Sequence, residues 1–191
     1  VGPAGPYRLV PQDPPVAAEC CFPAPPVLEF DQGGTLVGSW GGPGEGYEWP
    51  LSNHGIFVDH MDNVWIGGNG GPDSHLLKFT RHGKFLMQVG AAGARMTGPV
   101  SERTGQPTAV PDSNSTDSFG RVAKIYVDPK DNEAYIADGY FNKRVVVLDA
   151  DTGAFKRFWG AYGNVPDDSD LGRYDPNAEP PQQFRTPVHC A

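Results

Sequence analysis

Residues Val122–Gly160 read VAKIYVDPKDNEAYIADGYFNKRVVVLDADTGAFKRFWG, and this stretch decides the fold. Four short runs, Ile125–Asp128, Ala134–Ala137, Arg144–Asp149 and Ala154–Trp159, are rich in β-branched and aromatic residues and read as strands. Between them lie Lys130-Asp131-Asn132 and Asp151-Thr152-Gly153, where Asp and Thr bond nearby amides while Asn and Gly tolerate positive φ. The spacing predicts a four-stranded antiparallel meander.

The same pattern recurs upstream. His54–Gly90 reads HGIFVDHMDNVWIGGNGGPDSHLLKFTRHGKFLMQVG, with strands expected at Ile56–Asp59, Val64–Gly67, His75–Phe79 and Phe85–Val89. Its turns fall at Met61-Asp62-Asn63 and Arg81-His82-Gly83. Val27–Asp31, Gly33-Gly34 and Thr35–Gly41 correspond to the last two strands of a further unit, and Gln183–His189 to the lead-in of another, as Trp49–His54 is earlier.

Units of roughly 40 residues, each a four-stranded sheet unable to cover both its faces alone, predict an all-β fold of the β-propeller type. The expected organisation is an N-terminal extended segment over 1–26 and a partial propeller over 27–191. Its blades lie at about 27–41 (partial), 54–90, 122–160 and 183–191 (partial). Irregular insertions at 91–121 and 162–181 interrupt the repeat; the first is either a functional surface loop or poorly ordered. About 4–8 blades close a ring, so the remaining blades are expected from missing residues or from another chain.

The Ala137-Asp138-Gly139-Tyr140-Phe141-Asn142-Lys143-Arg144 corner, together with an Asp after the first strand and an Asn-containing turn, resembles the NHL repeat. Within that superfamily the sequence is similar to the peptidyl-α-hydroxyglycine α-amidating lyases and their bacterial relatives, six-bladed propellers with zinc at the axis. Asn53-His54-Gly55-Ile56 resembles the segment that gives that family one zinc ligand, and Gln183-Phe184 with Pro187-Val188-His189 the segment that gives a second. The resemblance implies His54 and His189 as metal ligands, the carbonyl of Ile56 as a calcium ligand and Tyr140 as the catalytic base. It implies a secreted or periplasmic protein acting on a small peptide or small-molecule substrate. The alternative is a non-catalytic propeller that binds a protein partner or ligand.

The residue chemistry is compatible with both. Zinc accepts neutral imidazole nitrogen, and a catalytic site needs about three protein ligands and an open position. A phenol acts as a base once a metal or cation lowers its pKa from about 10. His60, His75 and His82 fall at strand ends or turns without a partner at ligand spacing and are expected in solvent.

Composition narrows the remaining classes. Glycine (25) and proline (20) approach a quarter of 191 residues, which argues against a helical bundle, while 38% apolar residues are enough for a core. The net charge of −8, with dispersed cations, argues against nucleic acid. No apolar run of about 18 residues offers a membrane span. Gly67-Gly68-Asn69-Gly70-Gly71 leads from strand to strand without a following helix, which excludes a phosphate-binding loop. Cys20, Cys21 and Cys190 permit one bridge between the two ends or buried thiols.

Overall fold

The computed structural model describes residues 24–189. The three cysteines and most of the expected N-terminal segment lie outside the described residues. The chain divides into two units, Val1–Trp49 and Pro50–Ala191.

In the first unit, β1 (Val27–Phe30) and β2 (Leu36–Trp40) form an antiparallel hairpin with Val27 opposite Trp40. Asp31 makes the turn, its Oδ1 accepting the amides of Gly33 at 2.9 Å and Thr35 at 2.8 Å.

The second unit holds two antiparallel meanders. One consists of β3 (Asn53–Val58), β4 (Asn63–Gly68), β5 (His75–Thr80) and β6 (Phe85–Gly90), paired in that order. The other consists of β7 (Val122–Asp128), β8 (Glu133–Asp138), β9 (Arg144–Asp149) and β10 (Phe155–Trp159). Neither sheet closes on itself. Every expected strand is present, most of them longer by one to three residues, and the described residues are all-β apart from a single 3-10 turn at Ala161–Gly163.

The two meanders turn by the same devices. After β3, Asp59 Oδ1 accepts the amides of Met61 and Asn63, both at 2.9 Å, and Asp62 takes a φ of 60°. After β7, Asp128 accepts the amide of Lys130 at 2.8 Å and Asn132 takes a φ of 52°. The last turns use Gly83 and Gly153, at φ 82° and 71°, values that any residue with a Cβ rarely adopts.

Strands β4, β5, β8 and β9 are buried along nearly their whole length, which is why VWIG, HLLKF and VVVL read as continuous apolar runs rather than alternating ones. Trp65, Leu76, Ile125, Ile136, Val146 and Leu148 form the centre of the shared core, flanked by Phe57, Met87, Val89, Phe155 and Phe158. A buried charge crosses it: Lys78 Nζ, from the first sheet, donates to the carbonyl of Ala150 at 2.7 Å and lies 3.8 Å from Asp59 Oδ2. Burial pushes the Asp59 carboxyl up, but the Trp65 indole at 2.9 Å and the turn amides outweigh it and hold the group below its ordinary value.

One expectation is corrected here, and of the two readings of the 91–121 insertion the ordered one holds. His75 opens β5 in the interior, 1% exposed, because its position in the repeat is that of the buried Arg144, so it belongs to the core and not to solvent. The 91–121 insertion is a docked loop. Arg144 donates to the carbonyls of Ser113, Ser115 and Ser118, Asn142 Oδ1 accepts the amide of Asp112 at 2.9 Å, and Thr108 and Gly98 tie a small hairpin within the loop. Asp168, from the acidic 162–181 stretch, receives both the amide and the hydroxyl of Ser113, so the two insertions hold each other.

Candidate functional site

The site begins with the lead-in to β3. Asp73 Oδ1 accepts the amide of Leu51 at 2.8 Å, and its Oδ2 accepts those of Ser52 at 3.0 Å and Gly70 at 2.7 Å. In the other sheet the same task falls to Asp138, whose Oδ1 accepts the amide of Gly120 at 2.6 Å. Asp138 lies at the end of β8, and the matching place in β4 is Gly68, where an added Cβ would run into Asp73 Oδ2. A carboxylate five residues further on therefore fills the space and does the work of the missing one. Sequence reasoning overlooked Asp73; the signal was a glycine where the repeat carries Asp, followed by a free Asp in the same corner.

With its lead-in fixed, β3 carries a bulge between Asn53 and Ile56, and β7 one between Val122 and Lys124. Bulges re-aim side chains and backbone groups next to functional sites. They place His54 and Ala123, equivalent positions of the two repeats, against each other: His54 Nδ1 lies 3.1 Å from the Ala123 carbonyl. A carbonyl only accepts, so this contact puts the proton on Nδ1 and leaves a lone pair on Nε2. That Nε2 sits 2.7 Å from Tyr140 Oη, 86 residues away in sequence, and the phenol is the donor.

Tyr140 stands on a rigid corner. Its amide donates to the Arg121 carbonyl at 3.3 Å, that of Phe141 to Gly120 at 2.9 Å, and Asn142 Nδ2 to Asp138 Oδ2 at 2.8 Å. His189 arrives from the far end of the described chain, because Val188 donates its amide to the Gly139 carbonyl at 2.9 Å. The three rings then meet nearly at right angles. Centroid separations are 4.8 Å for His54–Tyr140, 4.7 Å for Tyr140–His189 and 5.9 Å for His54–His189. Both histidines are exposed and Tyr140 is partly buried, so the cluster is open to a ligand.

Ile56 faces Ile66 across β3 and β4 with an exposed side chain. His60 and His82 are exposed and stand apart from the cluster. Among the described residues no group of three or more His, Cys, Asp or Glu side chains converges as a metal cage. Two imidazoles with a phenol oxygen beside them are what the described residues bring together here.

Gly139 is the hinge of this assembly. An added Cβ would fall on the Val188 carbonyl oxygen and 2.5 Å from Val188 N, where only backbone can give way. Gly139→Ala is expected to release the Val188–His189 segment at a cost of about 1–3 kcal/mol, seen as loss of the ring-current shift on the His189 imidazole protons. Gly71→Ala, a position with nothing within 4 Å of the added atom, should leave that shift unchanged.

Neither a family model nor a curated protein matches the sequence. Among solved structures the chain is similar to a "Putative exported protein" from Bacteroides fragilis NCTC 9343, at 14% identity and a TM-score of 0.38. The likeness covers 56% of this chain and spans 23% of that one. No helix among the described residues is long and apolar enough to cross a membrane.

Proposed function

We propose that the chain contributes blades to a secreted or periplasmic NHL-type β-propeller and that His54, Tyr140 and His189 form the site of a lyase acting on peptidyl-α-hydroxyglycine-like substrates. The observation that carries this reading is the 2.7 Å contact of Tyr140 Oη with His54 Nε2, with the His189 ring 4.7 Å from the phenol. Two consecutive meanders with the same turn devices, packed through a shared core, support the propeller.

The residues present fit zinc as part of a ligand set. His54 donates Nδ1–H to a backbone carbonyl, the outer contact that orients metal-binding imidazoles and leaves Nε2 for the metal. His189 supplies the second nitrogen. When bound, zinc acts as a Lewis acid on the substrate oxygen. The calcium expected at the Ile56 carbonyl rests on the resemblance alone.

The chain's own chemistry is acid–base. Where Nε2 carries no metal it would take the Tyr140 proton, and where a metal held Nε2 that proton would leave to solvent; in either case the phenol oxygen takes the proton of the substrate hydroxyl. The electron pair left on that oxygen forms the aldehyde of glyoxylate. The carbon–nitrogen bond breaks, and Tyr140 passes the proton it took to the amide nitrogen. His54 Nε2 has one lone pair, so a metal there and the Tyr140 proton compete for it.

Metal analysis of the purified protein tests the assignment. About one zinc per chain is expected, lost in both His54→Ala and His189→Ala. Protein that carries no stoichiometric zinc and releases no glyoxylate would be a binding platform instead.

A further inference from the structure

Arg121, the residue immediately before β7, breaks three local rules at once. Its φ is 68°, a left-handed conformation that a long side chain rarely adopts. Its Nε is buried without a hydrogen-bond acceptor, and no described carboxylate or carbonyl engages the guanidinium. What it touches is the ring of Phe141, 5.0 Å from its Cζ. The other described buried or half-buried Lys and Arg side chains have oxygen partners, Lys78 at Ala150, Arg95 at Asp112, Lys143 at Ser169 and Arg144 at Asp138, although Arg95 Nε shares the lack of an acceptor.

Position gives the exception its meaning. The Arg121 carbonyl holds the amide of Tyr140, and the guanidinium stacks on the residue that follows Tyr140. A partly desolvated cation without a described carboxylate partner is thus tied to the Tyr140 corner through its own backbone carbonyl and the Phe141 ring, on a chain of net charge −8. Strained and unsatisfied groups persist where the surroundings impose them, and they gather at ligand sites. A guanidinium on an aromatic ring presents its edge N–H groups to a planar anion, the geometry a carboxylate takes in bidentate fashion.

We infer that Arg121 is the anion-recognition residue of this site and receives the carboxylate of the bound ligand. The inference rests on the reading of the cluster as a ligand site but not on its being a lyase. N-benzoylglycine and its neutral amide, titrated calorimetrically into the full chain, differ only in that charge. Wild type is expected to prefer the carboxylate by about tenfold or more. Arg121→Met should bring the two affinities together, and Arg121→Lys should keep part of the preference. Arg121→Gly suits the positive φ, so it should fold with an undiminished melting temperature and still lose the preference. His54→Ala should weaken both probes and keep their ratio. An undiminished preference in Arg121→Met and Arg121→Gly, or a wild type that binds neither probe or both alike, overturns the assignment of Arg121. A preference that Arg121 controls but His54→Ala leaves untouched in strength upholds the anion site and overturns instead the reading of the ring cluster.

Discussion

Tyr140→Phe is expected to slow release of glyoxylate from a peptidyl-α-hydroxyglycine by about 10²–10⁴-fold, the range that positioned proton transfer supplies, with little change in KM or melting temperature. The substitution removes one oxygen. The ring keeps its edge contacts with His54 and His189, and the corner that holds it depends on backbone amides and on Asn142, not on the phenol. His54 is exposed, so water replaces the lost donor at Nε2 without leaving a buried polar group unpaired. A structural role for the phenol would show the reverse pattern, an intact rate per folded molecule with a lowered melting temperature. Turnover within threefold of wild type would remove Tyr140 from the chemistry.

The strands were legible because each has a two-residue or continuous apolar signature, bounded by Asp, Asn and Gly whose turn preferences are local. Arg144–Asp149 is read to the residue, and the corner residues Asn142 and Arg144 bond the Asp138 carboxylate and loop carbonyls. His54, Tyr140 and His189 came from resemblance, since a phenol and two imidazoles spread over 136 positions carry no spacing signal. What sequence could not give was the glue: the Ala123 carbonyl that sets the His54 tautomer, and Gly139 admitting Val188. These are backbone contacts or vacated volumes, and side-chain identity does not encode them. Sequence leaves the order of the 91–121 loop open between two readings for the same reason. Its order comes from Arg144 reading its carbonyls, which any sequence of polar residues presents alike.

Asp138→Ala should cost about 3–5 kcal/mol in unfolding by urea, a large share of the 5–15 kcal/mol that holds an ordinary domain. Asp138 is fully buried and takes the amide of Gly120 at 2.6 Å, Asn142 Nδ2 at 2.8 Å and Arg144 Nε at 2.8 Å. Its removal strands Arg144, 1% exposed, as a buried cation held only by neutral carbonyls. Because those carbonyls belong to residues 113–118, the loop should become open to proteolysis in the same variant. Adding Arg144→Met to Asp138→Ala should recover part of the loss, since deleting both members leaves no unpaired charge. Glu133 is itself buried, but its partners Lys156 and Arg157 are exposed, so solvent and salt screen these pairs and give them less leverage. Equal costs for Asp138→Ala and Glu133→Ala, or strict additivity in the double variant, would mean that the carboxylate is not the keystone of this corner. Tyr140 would then owe its position to the backbone bonds of Gly120 and Arg121 alone.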